Sequence, residues 1–209
     1  MDYNEKQIQI IDAAEKRFAE NGFEGTSVRD IAHDAGINIA MISYYFGSKE
    51  KLLEAIFNYR IKTTGSNIEK IIHNDNLSPI QKIDKFIDNY IDRMLQNQSF
   101  YRLMMQEPSL KELHQTSEIV YEAKMQNMEL IKKTIQEGQA LGAFKKNIDV
   151  PMMIMTMIGT ANHFISTQHF YRRYNNMIDT DDIEYQKHIK KKLSHHLKAL
   201  FKSTLTNAA

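Results

Sequence analysis

Asn38, Ser43 and Tyr44, with Arg29 a little upstream, are hydrogen-bonding side chains within one stretch of sixteen residues. Groups of this kind read base edges in the major groove. Ile39 and Met41 lie among them and are apolar. The apolar mark in that groove is the thymine methyl. No Lys or Arg lies between Asn38 and Tyr45, so Arg29 is the nearby group able to read a guanine. These residues predict a target rich in A·T pairs, with at most one guanine strongly required. The thinness of direct contacts assigns part of the selectivity to DNA shape. Covalent chemistry is not on offer. The chain has no cysteine, which excludes disulfides, thiolate zinc sites and cysteine nucleophiles. It carries no nucleophile elbow, P-loop, dinucleotide fingerprint or His-Glu-x-x-His pattern. We expect no enzyme, no cofactor and no metal.

To present such side chains, two short helices must be held across a tight turn, the geometry of a helix-turn-helix. The first must show a small apolar inner face; Val28, Ile31, Ala32 and Ala35 supply it. The turn needs a residue that tolerates positive φ; Gly36 supplies that. Ile37 then reaches back into the core. The second helix, expected from about Asn38 to Tyr45, hides Ile42 and Phe46 and turns Asn38, Ile39, Met41, Ser43 and Tyr44 outward. Thr26 or Ser27 caps the first helix.

The remaining chain reads as helix throughout. Ile8, Ile11, Ala14 and Phe18 form an apolar stripe after an Asn4/Gln7 capping box, closed by Asn21-Gly22. A helix opens at Ser48 and runs to about Ile72. Ser78-Pro79-Ile80-Gln81 starts another, reaching about Gln96. Further helices are expected at Phe100 to Gln106, Leu110 to His114, Ser117 to Leu141, from Pro151 to Tyr174, and from Thr180 to Leu205. The prediction is an all-α chain of about nine helices. Residues 1–48 form a three-helix DNA-binding domain, a connector runs over about 48–72, and 73–209 form an antiparallel bundle. The start of the chain lacks the pattern of a signal peptide and no apolar run is long enough to span a bilayer. We expect a soluble cytoplasmic protein with no membrane partner. The net charge is only +1, and residues 1–62 carry eight Lys and Arg against ten Asp and Glu. DNA contact must therefore rest on a few local groups.

The run Thr26-Ser27-Val28-Arg29-Asp30-Ile31-Ala32-His33-Asp34-Ala35-Gly36-Ile37, followed by Ser43-Tyr44-Tyr45-Phe46-Gly47-Ser48-Lys49-Glu50-Lys51-Leu52-Leu53, resembles the N-terminal signature of the TetR family. The resemblance covers about residues 5–60. It implies phosphate contacts from Tyr45 and Lys49, and from a hydroxyl or backbone N–H of Thr26 or Ser27. It places Asn38, Ile39, Ala40, Met41 and Tyr44 on the base-reading face. Ala40 stands where Gly is common and Ser43 where Tyr is frequent. The later residues are similar to the family in length, helix count and the Gly138…Gly142-Ala143-Phe144 ending of the long helix.

The resemblance further implies a homodimer on a palindromic double-stranded operator, with the last two helices of each subunit paired. It implies a repressor released by a small apolar or amphipathic ligand in the bundle. Phe86, Tyr90, Leu103, Tyr121, Met128, Asn162 and His163 are the candidate pocket residues. Leu193, Leu197 and Leu200 recur at intervals of three and four, and we expect at least two of them at the dimer interface. Met152, Met153, Met155 and Met157 suit helix packing or a dimer seam better than a pocket. His188, His195 and His196 read as the wet basic face of the last helix rather than a metal site. Two other readings stay open: a DNA-binding regulator without a ligand, and a helical small-molecule binder with a non-functional DNA domain.

Overall fold

The computed structural model describes residues 3–106 and 114–207. Among them there are nine helices and no strand: α1 (Glu5–Asn21), α2 (Val28–Asp34), α3 (Ala40–Phe46), α4 (Lys49–Ile72), α5 (Pro79–Gln96), α6 (Gln98–Gln106), α7 (His114–Ala140), α8 (Val150–Tyr174) and α9 (Asp182–Leu205). The short helix expected from Leu110 lies almost wholly outside the described residues.

The helix starts obey local chemistry. Asn4 caps α1 in a capping box with Gln7, and Ser78 caps α5 in one with Gln81, Pro79 following. Asp149 and Asp181 accept from the first-turn amides of α8 and α9. Gly142 closes α7 at φ +71, and the Ala143 and Phe144 amides both donate to Gly138 O. Phe144 then lies on Gly138, where a Cβ would sit 2.2 Å from the ring. Glycine is the residue that fits beneath that ring.

Two compact units form, and they do not follow chain order. One comprises Met1–Gly65 and Ser99–Lys124, the other Ser66–Gln98 and Met125–Ala209. In the first, Ile10, Ile11 and Phe18 of α1 share a core with Ile31, Ile42 and with Leu52, Leu53, Ile56 and Phe57 of α4. Phe100 and Leu103 of α6 and Val120 of α7 belong to that same core, which is why α6 groups with the N-terminal helices. Leu103, a pocket candidate, is thus packed in the first unit. Tyr121, another, is exposed.

In the second unit α5 packs on α9, and α8 packs on both. Ile83, Ile87, Ile91 and Met94 of α5 are buried with Ile189, Leu193, Leu197 and Phe201 of α9. Leu197 is 0% exposed within the single chain. The expectation of Leu193 and Leu197 at a dimer interface is therefore corrected: side chains already buried have no area left for a twin. Leu200 is half-buried. A polar row flanks this packing. Ser194 Oγ donates to Asp88 at 2.6 Å, Lys198 Nζ donates to Asp88 at 2.5 Å, and Lys190 pairs with Asp92 at 2.6 Å. The buried Lys82 pairs with Glu137 at 2.9 Å.

α8 has two faces. Met153, Met157, Ala161, Phe164 and Ile165 point into the unit. Met152, Met155, Gly159, His163, Ser166, Phe170 and Tyr174, spaced by three and four, are exposed. The methionine run is split between core and surface. No helix among the described residues is long and apolar enough to cross a membrane.

Candidate nucleic-acid interface

The turn between α2 and α3 is a Schellman motif. Gly36 takes φ +59, its amide donates to His33 O at 3.0 Å, and the Ile37 amide donates to Ala32 O at 3.0 Å. Ile37 is half-buried against the core. Gln9 Nε2 also donates to Ala35 O at 2.6 Å, tying the motif to α1. Arg17 holds Asp34 with two hydrogen bonds, one of them 2.7 Å long. That guanidinium, helped by His33, keeps the Asp34 carboxyl at about 2.

α3 buries Ile42 and presents its other side. Asn38, Ile39, Ala40, Ser43 and Tyr44 are exposed, and Met41 is half-buried. Tyr44 stands out most, at 82% exposure, with its ring edge-on to Tyr45 at 5.0 Å. Tyr45 is half-buried and leans on the core. Asn38 accepts the Ala40 amide at 2.9 Å through its side-chain oxygen, starting α3 in an Asx turn. What Asn38 offers a groove is then chiefly its Nδ2 donor; the bidentate pairing with adenine needs both ends of the amide. Arg29 is exposed on α2.

Three groups expected at phosphates are engaged within the chain. Thr26 is 2% exposed, and its hydroxyl donates to Gly22 O at 2.8 Å and Arg17 O at 3.2 Å. Ser27, not Thr26, caps α2: its Oγ accepts the Asp30 amide, while its hydroxyl and its own amide both donate to the Asp30 carboxylate. The anion at the α2 N-terminus is the chain's own, and these bonds draw the Asp30 carboxyl below its ordinary value. Lys49 Nζ donates to Phe23 O at 3.0 Å and Thr26 O at 3.2 Å, and lies 4.2 Å above the Phe23 ring. Spacing alone carried no sign of the Phe23 partner, which lies twenty-six residues away from Lys49.

The low charge of this unit has a structural counterpart. Arg17 pairs with Asp34, Lys51 with Glu54, and Arg60 with Asp12 and Glu15. Among the described residues no group of three or more His, Asp or Glu is placed to hold a metal ion, His188, His195 and His196 included.

Residues 10–56 match the family of bacterial regulatory proteins of the tetR type, and residues 79–195 match the tetracyclin repressor-like C-terminal domain. The chain is 26% identical over 161 residues to the transcriptional repressor NicS of Pseudomonas putida, covering 77% of this chain and 76% of that protein. Its fold is similar to the ketosteroid transcriptional regulator KstR2 of Mycobacterium tuberculosis, with TM-score 0.76, 17% identity, and 99% and 98% of the two chains covered. It is also similar to the regulator FadR of Bacillus subtilis, solved with stearoyl-CoA, with TM-score 0.66, 24% identity, and coverage of 94% and 98%. NicS is a transcriptional repressor, and KstR2 and FadR are transcriptional regulators. With the N-terminal and C-terminal domains both matched, the second over more than half of the chain, the chain belongs to the TetR family of bacterial transcriptional regulators.

Proposed function

We propose that this protein is a cytoplasmic repressor that binds a palindromic operator as a homodimer and is released by an amphipathic small molecule. The observation that carries the DNA part is the exposed face of α3, headed by Tyr44 and held by the Gly36 turn. Arg29, Asn38, Ile39, Ala40, Met41 and Tyr44 read bases, and Tyr45 approaches the backbone. The dimer seam is the outer face of α8. Met152 and Met155 are exposed with Gly159 beyond them, where nothing lies within 4 Å of a Cβ, and Phe170 and Tyr174 are exposed past the break in helical backbone at Thr167. Exposed apolar side chains of this kind support pairing with a twin, and glycine lets two helices approach closely. Ile183 at the start of α9 adds to them.

For the ligand, the candidates carried by the second unit are Phe86, Tyr90, Met128, Asn162 and His163. Asn162 Oδ1 is buried with no hydrogen-bond partner among the described residues, an arrangement that costs free energy unless something else supplies a donor. FadR of Bacillus subtilis was solved with stearoyl-CoA, which supports a long acyl chain with a polar head as the class to try first. A ligand releases DNA only by binding more tightly to the state that does not fit the operator. The experiment is a titration of long-chain acyl-CoA into the protein–DNA complex, followed by fluorescence anisotropy. Dissociation at micromolar acyl-CoA, weaker with Asn162→Leu, supports the reading. Unchanged DNA affinity across chain lengths removes this ligand class.

A further inference from the structure

We propose that Tyr3 is a positioning residue of the DNA-reading head: its ring packs the last turn of α3 against α4 and so fixes where Tyr44 and Tyr45 stand. This rests on the DNA-binding reading of α3. Five aromatic rings make a continuous row from the start of the chain to the exposed face. Tyr3 meets Tyr59 of α4 edge-on at 5.9 Å and Phe46 of α3 at 6.4 Å. Phe46 meets Tyr45 at 6.4 Å, and Tyr45 meets Tyr44 at 5.0 Å. Ring pairs at such separations add attraction beyond the area they bury. Tyr3 is half-buried against the core of the first unit, and that burial raises its phenol above the ordinary pKa.

The end of α3 is the part of the motif that needs such support. α3 has seven residues, and a helix that short is marginal without packing. Its start is fixed by the Gly36 turn and by the Asn38 Asx turn. Its end has Gly47 at φ +83, whose amide donates to Ser43 O, and no basic residue in the last turn. Ile42 is buried, but Phe46, one turn later, is only half-buried. Tyr3 supplies Phe46 with a contact from outside the motif. Tyr3 is itself held, because the next residue, Asn4, caps α1 in a capping box with Gln7. An apolar residue before an N-cap commonly packs on its own helix. Here the ring reaches two other helices, α3 and α4. Displacing Phe46 displaces Tyr44 and Tyr45, which precede it on the same turn.

The test is Tyr3→Ala beside Tyr3→Phe in the full-length protein. Two properties are measured: amide hydrogen exchange without DNA, and affinity for a fragment that the wild-type protein selects from a random pool. In Tyr3→Ala we expect faster exchange over Tyr45, Phe46 and Gly47 with α5 unchanged, and about a tenfold loss of affinity, the scale of one or two ring pairs. Affinity falls with the fraction of molecules whose α3 is formed to its end, so the two effects appear together. Tyr3→Phe keeps the ring and loses only the hydroxyl, and it should match wild type in both measurements. An unchanged affinity or unchanged exchange in Tyr3→Ala overturns the proposal. A Tyr3→Phe that binds as weakly as Tyr3→Ala also overturns it, because the hydroxyl is then the group in use. If Tyr3→Ala does not fold, Tyr3→Leu is measured in the same way; it keeps apolar bulk and removes the ring. It should give a smaller loss in the same direction, and unchanged exchange over the end of α3 overturns the proposal. A wild-type protein that binds no fragment defeats the DNA reading, while the exchange arm still decides whether Tyr3 holds α3.

Discussion

Leu197→Ala should cost about 2–5 kcal/mol of stability, the usual range for a leucine truncated in a packed core, and should leave the protein dimeric. Leu197 is fully buried between α9 and its neighbours in the second unit. Its removal leaves a cavity inside the subunit and nothing changes on the outer face of α8. Met155→Glu should do the reverse. Met155 is 63% exposed, so a carboxylate there is solvated in the single subunit and is buried only when a twin covers it. Helical circular dichroism should persist while light scattering reports a monomer. Melting should also lose its dependence on protein concentration, because association no longer adds to stability. A monomeric Leu197→Ala with unchanged melting, or a dimeric Met155→Glu, would place the seam elsewhere.

Arg60→Met should destabilise the first unit by about 3–5 kcal/mol at pH 7, since it leaves a buried carboxylate without its cation. Glu15 is 5% exposed, and Arg60 Nε donates to it at 2.6 Å while Nη2 donates to Asp12 at 2.8 Å. Burial pushes the Glu15 carboxyl above its ordinary value, and the hydrogen bond and charge of Arg60 pull against that rise. Without Arg60, burial and the like charge of Asp12 act alone, so the folded-state pKa climbs further. A carboxyl whose pKa is raised on folding contributes stability that is present below the unfolded value and lost as pH rises through the folded one. The penalty of Arg60→Met should therefore shrink as pH falls from 7 toward about 4.5, near the unperturbed value for glutamate. Urea melts at several pH values check this. A penalty independent of pH would mean that Glu15 is not ionised beside Arg60.

The helices were legible in the sequence because their signals are local. Asn4 with Gln7, Ser78-Pro79 with Gln81, and Gly36 each act within a turn of chain, and each does in the structure what its chemistry demands. Face assignment was harder. The Leu193 and Leu197 stripe predicts burial, and burial within the subunit satisfies it as well as burial against a twin. In the single chain Leu197 is 0% exposed, while Met152, Met155, Phe170 and Tyr174 leave apolar side chains on the solvent side of α8. That signal was present in the spacing of α8, but the run of four methionines reads as uniform until partners are known. The engagements of the Thr26 hydroxyl and of Lys49 were illegible for a similar reason. Thr26 and Lys49 are polar side chains whose partners are backbone carbonyls, and those become neighbours only on folding. The first unit likewise draws α6 and part of α7 into its core through Phe100, Leu103 and Val120, contacts made across more than forty residues of sequence.

The most direct test of the whole account is selection of bound fragments from random double-stranded DNA by the purified full-length protein. The account expects two inverted half-sites centred about one helical turn apart, or a multiple of it. Each half-site should be rich in A·T pairs with at most one strongly required G·C, and Arg29→Ala should relax the preference at that pair alone, at a cost of about 1–3 kcal/mol. Recovery of no enriched sequence at low salt, or of a single undivided site, would contradict a dimeric DNA-reading protein. Half-sites with two or more invariant G·C pairs would contradict the reading of α3 and Arg29.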